Sequence, residues 1–450
     1  MDLLAVAELI VRETLLFAAC GFLLLGTSDL AVDLIWIGLR LKRRREALPP
    51  FPAAEQPGRL AIFVPAWDEA AVIGPMLAHA HAAFAGADHV LYVGCYPNDP
   101  ATIAAVRAAG GERVRLVIGP APGPTSKADC LNRIWEQMIE EEAANGVRCK
   151  AVVLHDAEDV VHRDELPLFD ALVERFDLVQ LPVVPLIDPG SRFVGGHYVD
   201  EFAEAHGKEL VVRQAIGASL PSAGVGCAIR RDALAALAAA RGSPFDTDSL
   251  TEDYELGLRL ETMGRRAAFV RVSPQAGGAA IATREHFPAT LAAAVAQKSR
   301  WMAGIALAGW DRLGWDGGLA ERWMRLRDRQ SLLAALVLGA AYLALVLHVL
   351  LIGIAALTGH ALEPFPPLLT LLLAINSGLL LWRLAMRFGF VARAYGWREG
   401  LRALPRTVTA NLIAMMAARR ALVRYAFMRR TGAFTWDKTA HAFPRHLPAE

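Results

Sequence analysis

The stretch GRLAIFVPAWDEAAVI, residues 58–73, begins as a short apolar β run and breaks at Pro65. It then passes through Trp67, Asp68 and Glu69 into a helix-forming segment with acids at its start, which reads as strand, loop, helix. The same cycle returns in HVLYVGCY (89–96) followed by PNDPATIAAVRAAG (97–110). It returns again in RVRLVIG (113–119) followed by SKADCLNRIWEQMIEEEAANG (126–146). A fourth strand, KAVVLHDAED (150–159), runs directly into acids. Alternation of this kind predicts βαβ units and a mostly parallel sheet, hence an α/β fold.

Ligands of such sheets bind beyond the carboxyl ends of the strands. The residues there are Trp67, Asp68 and Glu69, then Asn98 and Asp99, then Lys127, and finally His155, Asp156, Glu158 and Asp159. No GxGxxG follows the first strand and no GxxxxGK[ST] occurs, so neither a dinucleotide site nor a P-loop is indicated. Period-two alternation is expected to bring Asp156 and Glu158 to one side, where two carboxylates suit a hard divalent cation that also grips a diphosphate. TEDYELGLRL (251–260) opens a helix with Thr251 as the expected cap and acids in its first turn.

Composition adds a membrane part. Hydrophobic residues make up 54% of the 450 and the mean hydropathy is +0.32, which suits a polar domain with a few spans. The formal net charge of +1 excludes a global field that would recruit nucleic acid. The five cysteines are scattered, without zinc spacing, and read as reduced structural thiols.

Spans are expected at 14–38, 332–357 and 368–386. The basic run RLKRRR (40–45) after the first, and Arg387, Arg393, Arg398, Arg402 and Arg406 after the third, place those ends and the domain between them in the cytoplasm. The acidic N-terminus argues for an uncleaved anchor rather than a signal peptide. Residues 406–430 are expected to form an amphipathic interfacial helix with its arginines among lipid head groups. Asp29 and Asp33 lie four apart in the first span; facing protein and lying at the interface are both open readings. The domains expected are therefore an anchor and basic flank (1–45), an α/β domain (55–330), two spans (331–388) and a basic, amphipathic C-terminal region (389–450).

Taken together, VPAWDE, DAED, TED and the QKSRW of 297–301 resemble, in order and spacing, the inverting family 2 glycosyltransferases. The likeness is to their membrane-embedded, cellulose- and hyaluronan-synthase-type branch. Further stretches, among them SDLAVDLIWIGLRL (28–41), HDAEDVVH (155–162) and PRTVTANLIAMMAARRALVRY (405–425), are similar to the phage adsorption protein B group, inner-membrane proteins associated with exopolysaccharide output. That group often carries a further C-terminal nucleotide-sensing domain, which is not expected within these 450 residues.

The resemblance implies a GT-A fold, that of the Rossmann-like nucleotide-diphospho-sugar transferases, attached to transmembrane helices in the bacterial inner membrane. It implies a UDP-sugar donor and a growing glycan or lipid acceptor, with Mg2+ or Mn2+ held by Asp156 and Glu158; Asp159 is the substitute ligand. Pro65, Asp68, Glu69 and Asp99 would border the uridine, and Lys127 would approach the nucleotide. Asp253 would be the general base, with Glu252 orienting the acceptor, and Gln297, Arg300 and Trp301 would line the acceptor end. Membrane lipids, and an envelope export partner, are the further contacts it implies.

Arg and Trp are also enriched at membrane surfaces. Simple anchoring therefore competes for Arg300 and Trp301, and is the expected role of Trp310 and Trp315. His155 reads as a hydrogen-bonding wall residue more readily than a metal ligand. His286 in REHFP is placed beside the acceptor path, and PSAGVGCAIRRD (221–232) reads as a glycine-rich turn near substrate. Two other functions compete with a processive transferase: non-processive transfer to a lipid or lipid phosphate, and a non-catalytic scaffold of an export complex.

Overall fold

The computed structural model describes residues 3–43, 52–274, 278–431 and 442–444. Arg44 and Arg45 of the basic run, and most of the chain after 431, lie outside them. Nine strands form two sheets among the described residues: β1 (Leu60–Pro65), β2 (His89–Cys95), β3 (Val114–Ile118), β4 (Ala151–Leu154), β5 (Leu178–Gln180), β6 (Val183–Pro185), β7 (Cys227–Arg230), β8 (Ala267–Phe269) and β9 (Thr283–Glu285).

The main sheet runs β3-β2-β1-β4-β7-β5-β8, and β6 pairs with β9. All ladders are parallel except those of β7, which runs antiparallel to β4 and β5. Every residue of β1 is buried. Ile62 and Val64 pack on Met76 and Leu77 on one face, while Ala61 and Phe63 pack on Leu131 and Ile134 on the other. A strand covered on both faces needs no polar alternation, which is why β1 reads as a continuous apolar run.

The strand order reverses at β1, with β2 on one side and β4 on the other. The loops after β1 and β4 therefore diverge from a shared crevice. Local signals set the helices beside it. Asp99 accepts from Thr102 N at 3.2 Å ahead of Pro100, and Ser126 caps the helix Lys127–Asn145 by accepting from Asp129 N at 3.1 Å. Both arrangements satisfy orphan donors of a first turn.

Among the described residues three helices are long and apolar enough to cross a membrane: Leu3–Arg43, Ser331–Thr358 and Pro367–Tyr395. Each contains the expected span, and the third runs past the expected boundary at 388. The 35-residue helix Trp397–Thr431 carries Pro405 inside it and is not apolar enough to join them. It lies against the second and third spans and against the helices Gly196–Glu204 and Leu291–Trp301 of the α/β domain. The expectation for its arginines needs correction at Arg406. That side chain is buried, and its guanidinium donates to Asp200 Oδ1 at 2.6 Å and Glu399 Oε2 at 3.1 Å. A charge taken out of water requires such partners, so Arg406 ties the helix to the domain instead of meeting head groups.

The two readings of Asp29 and Asp33 are separated by the same logic. Asp33 forms an ion pair with Lys208 Nζ at 2.6 Å and accepts from Trp382 Nε1 at 2.8 Å, and Asp29 pairs with Arg327 at 3.0 Å and with Arg383. Both carboxylates face protein.

Candidate active site

One cavity of about 880 Å³ opens where the crevice meets the spans. Pro65, Glu69, Lys127, Asp156 and Glu158 line it from the strand ends, Glu252 and Asp253 from the TED helix, and Gln297, Arg300 and Trp301 from the QKSRW helix. Three regions distant in sequence thus converge on one space. Asp68 and Asp99 do not line it. Asp99 Oδ2 instead accepts from Asp68 N at 2.6 Å, and Asp68 takes a left-handed φ of 53°. Asp99 accordingly shapes the 66–69 loop that presents Glu69, whose N–H donates to Thr102 Oγ1 at 2.9 Å.

Asp156 and Glu158 converge for a different reason than strand alternation. β4 ends at Leu154, and both acids sit on the turn that follows. His155 and Asp159 build that turn. His155 meets Asp159 Oδ2 at 2.7 Å and Glu165 Oε1 at 2.6 Å, and Asp159 Oδ2 also accepts from Asp156 N at 3.1 Å. Both ring nitrogens are engaged, so His155 is a bracing residue rather than a metal ligand. Burial alone would lower its pKa, but Glu165 and Asp159 outweigh that and hold it up at about 10. Asp159, the expected substitute ligand, is fully buried in this brace and does not line the cavity.

Lys127, first in its helix, pairs with Asp156 Oδ1 at 2.6 Å. Burial opposes its charge, yet Asp156, Glu252 and Asp253 keep the ammonium above its ordinary value. Glu285, at the end of β9, is a further acid of the lining that sequence reasoning passed over; the adjacent His286 lines the cavity too. Burial, followed by neighbouring Asp156, pushes Glu158 well up, and burial, with Asp159 and Asp156, does the same to Glu285. Such crowding is relieved by a cation. Among the described residues no three His, Cys, Asp or Glu side chains could hold a metal by themselves. Asp156 and Glu158, on one turn and both lining the cavity, are a carboxylate pair of the kind that suits a hard divalent ion whose other ligands are water or phosphate.

Asp253 stands against the 221–232 turn. A Cβ on Gly224, which has φ +73°, would lie 2.7 Å from Asp253 Oδ2, so glycine is required there by both conformation and space. Gln180 holds the turn in place: its Nε2 donates to Val225 O at 2.9 Å and its Oε1 accepts from Ala223 N at 2.8 Å. Thr251 occupies the cap position of the TED helix but makes no capping bond, contrary to expectation. Its side chain instead sits where a Cβ on Gly304 would come within 2.6 Å, so the segment after QKSRW packs directly on TED. Burial raises Asp253, and burial followed by the Asp253 charge raises Glu252 to about 7.

At the other side of the cavity, Trp301 joins an aromatic group. Tyr198 stacks on Phe287 at 4.6 Å, and Lys298 Nζ lies 5.0 Å from the centres of both the Tyr198 and Trp301 rings. Gln297 Oε1 is buried with no hydrogen-bond partner among the described residues. Trp310 and Trp315 stand apart from this group, with Arg329 over both rings at 5.5 and 4.4 Å. The cavity continues past Asp29 and Arg383 to Phe22, Leu338, Tyr342 and Leu379 of the spans.

Residues 57–304 match the family described as Glycosyltransferase like family 2. The chain belongs to that family. Its α/β domain has the GT-A fold. It is 37% identical over 451 residues to bacteriophage adsorption protein B of Escherichia coli K12 and to bacteriophage N4 adsorption protein B of Escherichia coli O157:H7, in an alignment covering 93% of this chain. The chain spans 60% of the length of these curated relatives. A mannosyltransferase from Pyrobaculum calidifontis, solved with GDP-mannose and Mn2+, superposes with a TM-score of 0.55 at 17% identity, covering 90% of this chain and 99% of that one; the likeness extends to the fold alone.

Proposed function

We propose that this glycosyltransferase moves a sugar from a UDP-sugar to a hydroxyl acceptor with inversion, building an envelope glycan at the bacterial inner membrane with its α/β domain in the cytoplasm. The observation that carries this reading is that the strand-end carboxylates, Asp253 and the QKSRW side chains line one cavity. Asp253 removes the proton of the acceptor hydroxyl, whose oxygen forms the new bond to the anomeric carbon. The bond from that carbon to the diphosphate breaks on the opposite face, and UDP leaves with its electron pair.

Asp156 and Glu158 would hold Mg2+ or Mn2+, which when bound supplies charge neutralisation to the leaving diphosphate. Lys127 and Arg300 approach the same phosphates, Arg300 through its fork of donors. Buried Gln297 Oε1 accepts from an acceptor hydroxyl, and Trp301 offers its ring to a sugar. Burial raises Asp253, which makes its carboxylate a better proton acceptor, and raises Glu252 to about 7.

A second reading, transfer to a membrane-held lipid or lipid phosphate, is favoured by the continuation of the cavity to Phe22, Leu338 and Leu379. The relatives' name and the basic flanks of the spans support an envelope role, with an export partner beyond this chain. The test is UDP release by the purified protein from a panel of UDP-sugars with Mn2+. Wild type is expected to release UDP and Asp253→Asn to lose at least about 10²-fold in kcat; equal release by both would remove Asp253 as the base. Product mass separates a lipid-linked sugar from a polymer.

A further inference from the structure

The proposed reaction leaves unused both Asp29 of the first span and the helix it meets, Leu319–Arg329. Tyr254 follows Asp253 directly and is buried, 6% exposed. Its hydroxyl donates to Asp328 Oδ2 at 2.7 Å, near the end of that helix. Arg213, also buried, donates from one guanidinium nitrogen to both oxygens of Asp328 at 2.8 and 2.9 Å, and is itself anchored on Ser219 O. The Asp328 carboxylate is thus fixed from one side and fixes Tyr254 from the other, through bonds strengthened by its charge.

The neighbouring residue turns toward the membrane. Arg327 pairs with Asp29 at 3.0 Å and donates to Ser28 Oγ at 3.0 Å, and Trp323 Nε1 donates to the same hydroxyl at 3.0 Å. One 11-residue helix therefore holds the TED helix with Asp328 and the first span with Arg327 and Trp323.

We infer that Asp328 is a positioning residue for the base Asp253, acting through the Tyr254 hydroxyl, and that Arg327 ties this contact to Ser28 and Asp29 of the first span. The inference rests on the proposed base role of Asp253. A base must stand within hydrogen-bond reach of its proton, and a displacement of about 1 Å costs up to about 10²-fold in rate. Tyr254 also lines the cavity, but its hydroxyl is committed to Asp328, so on this inference its loss shifts the base and leaves Asp156, Glu158 and Lys127 in place.

The test compares Tyr254→Phe, Asp328→Asn, the double variant and Asp328→Glu in the full-length purified protein, with Asp253→Asn alongside. Tyr254→Phe keeps the ring and carries the test even if Asp328→Asn leaves Arg213 unpaired and fails to fold. Expected is a fall in kcat of about tenfold with KM for the UDP-sugar within about twofold, no additional loss in the double variant, and partial recovery in Asp328→Glu. Wild-type kcat in Tyr254→Phe, or independent multiplying losses in the double variant, with Asp253→Asn still inactive, would overturn the positioning role alone. Full transfer by Asp253→Asn would instead overturn the base assignment and this inference with it.

Discussion

Two acidic groups border the same cavity and differ in how their charge is met. On the strand-end side Glu69, Asp156, Glu158, Glu252, Asp253 and Glu285 face Lys127 and Arg300. On the span side Asp29 and Asp33 line it, and Glu204 stands behind them, sharing Lys208 with Asp33; the three are held by Arg327 and Arg383, by Lys208, and by Arg387 respectively. The first group sets six carboxylates against two cations at the proposed site; the second is neutralised within the protein. Surplus charge in a buried site is costly unless a ligand or a proton offsets it. The first group is therefore built to receive something, and the second to hold the domain on its spans.

Removing the divalent ion strikes this contrast hardest. Chelation of the purified protein is expected to lower UDP release at least about 10²-fold, and returned Mn2+ to restore it, since the diphosphate would otherwise meet the carboxylates directly. Isothermal titration with UDP, with and without Mn2+, checks the same point without turnover. Metal-independent release would mean that Lys127 and Arg300 alone suffice.

The paired group predicts a stability effect in place of a catalytic one. Glu204 accepts from Arg387 Nε at 2.6 Å and meets Lys208 at 3.3 Å, with all three side chains largely buried. Glu204→Gln takes from Arg387 the carboxylate that its Nε meets and leaves Lys208 with Asp33 alone, and is expected to cost about 3 kcal/mol, read as a lower Tm in detergent. The kcat of the folded fraction should stay near wild type. A fall in kcat at unchanged Tm would make this cluster part of the site.

The difference between the two groups also explains what could be read in advance. β1 to β4, Asp156, Glu158, TED and QKSRW were legible because each lies in a stretch whose period, proline or acids speak locally. Asp29 and Asp33 were visible as anomalies, but their partners Arg327, Arg383 and Lys208 lie far along the chain and no spacing announces them. Glu285 and Asp328 were missed for the same reason. β9 is three residues long, too short for a periodic signal, and Asp328 sits in a helix whose charges look like ordinary surface. The antiparallel β7 inside a parallel sheet was equally silent. Thr251 misled because its type suits a cap, whereas the close packing of Gly304 claims its side chain.

The smallest effect expected is a shift in pH dependence, and it bears on the surplus charge itself. Burial raises both Glu252 and Asp253, and the Asp253 charge adds to the rise of Glu252, which reaches about 7. The base is active when deprotonated, so kcat/KM should climb about tenfold per pH unit along an acid limb that lies above the ordinary carboxylate range, reporting the pair as a unit. Glu252→Gln removes one of two charges that resist each other's ionisation. The acid limb of that variant should therefore move to lower pH, by a fraction of a unit to about one unit, whatever its effect on the plateau. A limb that stays where it is in Glu252→Gln would mean that burial, with Lys127, Arg300 and Asp156, sets the proton affinity of Asp253, and that Glu252 acts on the acceptor or the donor's cation rather than on the base.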